Sequence, residues 1–112
     1  MFTTDTETRS TIARQNDNFR RHPGSDCMVT ASVQAKGPIF VLSAASAVRA
    51  FDAFTGDNDP HGEHDFGAFD LCGERLFWKI DYYDKDLSFG SPDPADPAVT
   101  RRVLTIMLAS DY

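Results

Sequence analysis

The sequence predicts a small α+β domain in the order α-β-α-β-β-α, with helices packed on an antiparallel three-stranded sheet. Three observations lead there. Residues Ile39 to Phe54 place apolar side chains at helical spacing, and Leu76 to Tyr83 alternates with a period of two. Clusters containing Gly and Pro punctuate the chain around 22–24, 36–38 and 84–97. With 112 residues, 41% hydrophobic and 12% aromatic, the chain is long enough for one modest core. Residues 1–9 read as a flexible N-terminus and residues 10–112 as a single α+β domain.

Thr8 to Arg21 reads as the first helix, capped by Thr8 or Ser10 and ending on Arg20 and Arg21, where positive charge favours the dipole. Its apolar stripe of Ile12, Ala13 and Phe19 is thin, which predicts loose docking. His22-Pro23-Gly24 ends it. Cys27 to Val33, rich in β-branched residues, reads as a strand. In Ile39 to Phe54, Ala44, Ala45, Ala47 and Ala50 favour helix, and Val41, Ala44, Ala45, Val48, Phe51 and Phe54 form its apolar face. His64 to Leu71 and Arg75 to Tyr83 read as a β-hairpin around Cys72-Gly73-Glu74. Leu76, Trp78, Ile80 and Tyr82 face the core, and Lys79 and Asp81 pair on the other face. A loop follows from Asp84. Asp96-Pro97 then reads as cap and first turn of a last helix, buried through Val99, Val103, Ile106 and Met107. Cys27 and Cys72 lack metal-knuckle spacing and are expected as reduced core residues.

Charge is unevenly distributed. The net charge is −6, yet residues 57–96 carry eleven acids against Arg75, Lys79 and Lys85, a net −8. Such a chain lacks the clustered Lys and Arg that direct nucleic-acid binding requires. It suits a protein partner with a basic surface. The longest strongly apolar stretch, about ten residues, falls well short of the ~20 needed for a membrane-spanning helix. No secretory signal is visible, so a cytoplasmic protein without a membrane partner is expected.

The acidic region opens with Gly56-Asp-Asn-Asp-Pro-His-Gly-Glu-His-Asp-Phe-Gly67, which supplies both carboxylates and imidazoles. Asp59, His61, Glu63, His64 and Asp65 are the ligand types of Zn, Mn or non-haem Fe sites, so a divalent metal is one reading. The spacing matches neither HExxH nor a calcium loop, which lacks its Gly and its final Glu here. Asp57, Asn58 and Asp59 are also turn formers that bond their own backbone, Pro60 and Gly62 fix the loop's path, and a His beside a carboxylate often serves to order a loop. Asp81 to Asp86 with Tyr82 and Tyr83 resembles an interface patch, since Tyr is enriched at binding hot spots. Nucleophile elbows and phosphate-binding glycine loops are absent.

The run from Val48 to Phe69, then Phe-Trp-Lys-Ile-Asp-Tyr-Tyr-Asp, Gly-Ser-Pro-Asp-Pro-Ala-Asp-Pro and Arg-Val-Leu-Thr-Ile-Met-Leu-Ala, resembles the DUF3768 family of small bacterial proteins, common in alphaproteobacteria and on their plasmids. The resemblance spans roughly residues 10–112, and Gly24 to Ser43 departs most from the pattern. It implies a bacterial, cytoplasmic, mobile-element setting and carries over no catalytic residues. Small acidic proteins of such settings include inhibitors of restriction and CRISPR systems.

The leading expectation is therefore a non-enzymatic, acidic interaction module without a cofactor. It would dock by charge mimicry, as a DNA mimic does, on a basic surface of a nucleic-acid-processing complex, in the manner of anti-CRISPR or anti-restriction proteins. Asp57, Asp59, Glu63, Asp65, Asp84 and Asp86 would supply the charge, and Tyr82, Tyr83 and Phe89 the anchors. The alternatives are a metal-dependent hydrolase built on residues 57–65 and a structural homodimer with no catalytic role.

Overall fold

The computed structural model describes residues 4–112. Its elements are α1 (Thr4–Arg21), β1 (Cys27–Val29), α2 (Ala31–Gln34), α3 (Pro38–Ala50), β2 (Phe66–Leu71), β3 (Glu74–Tyr83), β4 (Arg101–Leu108) and a closing 3-10 turn at Ala109–Asp111. The strands form one four-stranded mixed sheet in the order β1-β4-β3-β2. β2 and β4 flank β3 in antiparallel register, and β1 runs parallel to β4. The α+β class stands, but the expected three-stranded antiparallel sheet and the order α-β-α-β-β-α do not. α1 starts at Thr4 and so takes in part of the segment expected to precede the domain, of which residues 1–3 lie outside the described structure.

The main correction concerns the C-terminal element, which is a strand and not a helix. β4 lies between β1 and β3, and it carries apolar residues at both parities, with Met107 opposite Phe77 of the aromatic cluster on the second face. Leu104 and Ile106 join the core while Met107, at the opposite parity, is also buried. Buried residues on both faces imitate a helical spacing, and the β-branched Val99, Thr100, Val103, Thr105 and Ile106 were the better guide. The Asp96 carboxylate does accept the backbone N–H of Ala98, at 2.9 Å, but this local cap closes a turn and starts no helix.

β1 is shorter than expected, because Thr30 leads into α2 rather than continuing the strand. Asp111 fixes that corner, accepting the hydroxyls of Thr30 and Ser32 and the N–H of Leu108. These hydroxyl bonds hold its carboxyl below the usual range. α3 begins at Pro38 after Gly37, whose φ of 102° few other residues adopt, and it ends one turn early. Phe51 leaves the helix in an extended conformation, so Phe51 and Phe54 are released to pack edge-on against Trp78.

The β2–β3 hairpin turns on Cys72 and Gly73, with φ of 51° and 80°, the two left-handed residues that a tight hairpin matching strand twist requires. Cys72 is thereby exposed and not a core residue, whereas burial raises the Cys27 thiol above its usual range. Val33, Ala44 and Val48 pack from the helices against Leu76, Trp78, Ile80, Leu104 and Ile106. Trp78 is completely enclosed. Phe66, Phe77 and Tyr112 cluster on the other sheet face. The expected Lys79–Asp81 pair forms at 2.9 Å. Among the described residues no helix is long and apolar enough to cross a membrane.

Candidate functional site

The loop from Phe51 to Asp65 is folded by its own side chains. The backbone N–H of Thr55 donates to Asn58 Oδ1 at 2.8 Å, Asn58 returns its N–H to the Thr55 hydroxyl, and Asn58 Nδ2 reaches the Ala53 carbonyl. Gly62 and then His64 adopt positive φ, 68° and 57°, which swings the chain back toward the sheet. A left-handed conformation is uncommon for His, and Asp59 supports it by accepting the His64 N–H at 3.2 Å.

His64 is the anchor of this loop. Its ring stacks on Phe54 with centroids 3.9 Å apart and planes 2° from parallel. Nδ1 lies 3.0 Å from both carboxylate oxygens of Asp17 on α1, and Nε2 lies 3.6 Å from Asp59. Asp17 also accepts Arg20 Nη1 at 2.9 Å. The imidazole thus ties the acidic loop to the first helix, where it is flanked by an aromatic ring and two carboxylates.

A second cluster lies beside it. Asn16, fully buried on α1, donates through Nδ2 to the Glu63 carbonyl and to the Tyr82 hydroxyl, at 2.9 and 2.8 Å. The Tyr82 hydroxyl in turn donates to Glu63 Oε1 at 3.2 Å. Arg102 of β4 donates through Nε to Asn16 Oδ1 at 2.6 Å, with its guanidinium over the Tyr82 ring. Burial holds the Tyr82 phenol far above its ordinary value, so it remains a neutral donor.

Asp65 belongs to the same neighbourhood. Burial first, then the charge of Glu63, holds its carboxyl above the ordinary carboxylate range. The folded protein therefore binds this proton more tightly than the unfolded chain does. The group's contribution to stability is complete below the unfolded carboxylate value and is lost as pH rises through the raised folded value. Asp65→Asn is expected to be more stable than wild type at pH 7, by up to about 1 kcal/mol given partial solvent screening, and indistinguishable from it near about pH 3. Urea denaturation at both pH values checks this. A destabilised Asn variant at pH 7 would mean that the ionised carboxylate is needed.

Asp59, Glu63, Asp65 and Tyr82 are thus brought together, while Asp57 and His61 stand exposed on the loop. His64 is turned toward Asp17. Among the described residues no group of three or more His, Cys, Asp or Glu side chains is gathered closely enough to hold a metal ion. The set Asp59, His61, Glu63, His64 and Asp65 is therefore not a coordination sphere in this conformation. Tyr83 alternates to the sheet face opposite Tyr82.

Asp84, Asp86 and Phe89 sit on a separate projection. There the Asp84 N–H donates to the Phe89 carbonyl at 2.8 Å, and the Asp84 carboxylate accepts the Ser88 N–H at 3.0 Å. Leu87 takes φ of 61° at the tip, and Phe89 is 76% exposed. No hydrogen bond or ion pair joins this projection to the 57–65 loop among the described residues. Tyr82 bridges them, through its hydroxyl on one side and its carbonyl, which accepts the Ser91 N–H, on the other.

Sequence reasoning missed Asn16, Asp17, Arg20, Phe54 and Arg102 as parts of this region. The available signal was that the polar Asn16 and Arg20 continue the helical spacing of Ile12, on a helix whose apolar stripe looked too thin. No curated protein and no solved structure is significantly similar to the chain. A family described only as a protein of unknown function matches residues 29–111, and on that match the chain belongs to DUF3768.

Proposed function

We propose that this protein is a non-enzymatic acidic module that docks on a basic surface of a protein partner, with its carboxylates standing where phosphates would otherwise bind. A nucleic-acid-processing complex of the kind targeted by anti-restriction and anti-CRISPR proteins fits that chemistry. One observation carries the reading. Asp57, Glu63, Asp65, Asp84 and Asp86 form no ion pair among the described residues, whereas Asp26, Asp70, Glu74 and Asp81 each have a Lys or Arg partner. Unneutralised carboxylates on a segment of net −8 create a field that steers a basic partner. The exposed Phe89 and Leu87 beside them supply apolar contact.

The test is a pull-down from host lysate with wild type and an Asp57→Asn/Asp86→Asn/Phe89→Ala variant, since neither of these carboxylates makes an internal bond among the described residues. The captured partner should bind the variant about tenfold more weakly, and its affinity for wild type should fall as salt rises. A partner held equally by both proteins, or with an affinity indifferent to salt, would remove the acidic surface from the account.

A further inference from the structure

Opposite in character to the acidic segment, a cleft of about 390 Å³ opens between α1, β4 and the connection that follows β3. Its wall includes Lys85, Arg101 and Arg102 but only one carboxylate, Asp26. On a chain of net −6 this concentration of cations is unusual.

Arg102 is the most informative of the three. It is only 9% exposed, and burial lowers the pKa of its guanidinium from the usual value. Its partners are all uncharged: Asn16 Oδ1 at 2.6 Å, Gln15 Oε1 at 2.9 Å and the Pro94 carbonyl at 2.8 Å. Among the described residues it forms no ion pair, and Nη1 makes no hydrogen bond. The Glu63 carboxylate acts on Arg102 without forming an ion pair with it, and this incomplete balance of a buried charge is a cost that an anion would relieve.

The neighbours fit the same ligand. Lys85 is exposed and forms no ion pair among the described residues. Arg101 holds Asp26 through two hydrogen bonds of 3.2 and 2.7 Å, a pairing that a stronger anion could share. Asn18 adds an exposed amide, and Phe19 and Pro97 add an apolar surface.

We propose that this cleft binds a small phosphomonoester, with the phosphate toward Arg102 and Lys85 and an apolar or planar remainder against Phe19 and Pro97. Its size suits a mononucleotide-sized molecule, and the net negative charge of the chain disfavours a long polyanion. Lys85 stands between Asp84 and Asp86 of the acidic surface, but small-anion binding by the isolated protein is read without the protein partner, so either reading can fail without the other.

The experiment is an amide NMR titration at low ionic strength with inorganic phosphate, 5′-AMP and adenosine as probes. Phosphate and AMP should shift the amides of Asn18, Thr100 and Arg101, with AMP at least about tenfold tighter and adenosine silent. Lys85→Gln should weaken AMP by about fivefold with the fold unchanged, and Asp26→Asn should tighten it by removing the competing carboxylate. Shifts that are absent, equal for adenosine, or unaffected by Lys85→Gln would overturn the proposal. If Asp26→Asn proves unstable, the Lys85→Gln comparison decides alone.

Discussion

Gly67→Ala is expected to destabilise the protein by about 3 kcal/mol or more, at or above the usual ceiling for adding one methyl group to a core. Gly67 stands directly opposite Trp78 in the β2–β3 ladder. A Cβ at that position would lie 2.2 Å from Trp78 Nε1, 2.6 Å from Cε2 and 2.9 Å from Phe51 Cζ. The indole has no room to retreat, being fully enclosed, edge-on to Phe51 and Phe54 and covered by the Arg20 guanidinium at 5.0 Å. Its Nε1 has no acceptor among the described residues, so the close approach of the Gly67 backbone is a matter of space and not of bonding. Urea denaturation followed by Trp fluorescence measures the loss, since Trp78 is the single tryptophan. Gly73→Ala is the control. Gly73 has open space around it but φ of 80°, so only a backbone penalty of about 1 kcal/mol is expected there. If the two variants lost the same stability, the Trp78 pocket would be far looser than described.

The same comparison shows what could be read from the sequence. Alternation on β3 was legible, because one of its faces meets the helices and the other does not. Leu76, Trp78 and Ile80 are buried while Lys79 and Asp81 pair outside. β4 was not legible as a strand, since Val103 and Met107 make the face opposite Leu104 and Ile106 apolar too, and Arg102, polar in sequence, lies on its buried face. α1 was found, but its docking was underestimated for a related reason. Asn16 and Arg20 complete a buried stripe that begins with Ile12 and Ala13, and hydropathy counts both as surface residues.

The candidate site divides along the same line. Residues contiguous in sequence, 57–65, announced themselves by composition. What those residues do depends on partners far along the chain, which composition does not reveal. His64 meets Asp17, and Glu63 meets Tyr82 and Asn16. The turn chemistry of Asn58 and Asp59 was correctly expected to order the loop. The projection at 84–89 was named through Asp84, Asp86 and Phe89, but the exposed Leu87 gave no signal beyond its place in a loop.

Arg20→Met should cost about 3–5 kcal/mol, the penalty for breaking a buried, hydrogen-bonded charge pair while keeping the side chain's length. Arg20 donates through Nε to the Val48 carbonyl at 3.0 Å and through Nη2 to the Phe51 carbonyl at 2.8 Å, which satisfies acceptors at the C-terminal end of α3. Its Nη1 holds Asp17, which in turn holds His64. One guanidinium therefore caps α3, joins it to α1 and orients the carboxylate that anchors the acidic loop. Lysine cannot replace it, because a single ammonium cannot reach three separate acceptors in this planar arrangement, so Arg20→Lys should fall close to Arg20→Met. Asp17→Asn should be milder, and the Arg20→Met/Asp17→Asn pair should be clearly non-additive, since the two residues share one network. Hydrogen exchange separates this chain of contacts from a purely global loss of stability. In Asp17→Asn, protection should fall in residues 57–65 and remain unchanged in residues 84–89, whose turn closes on its own backbone. Equal protection of residues 57–65 in wild type and Asp17→Asn would assign the order of the acidic loop to its internal Thr55–Asn58 and Asp59 bonds alone. The link from Arg20 to the candidate interaction surface would then end at Asp17.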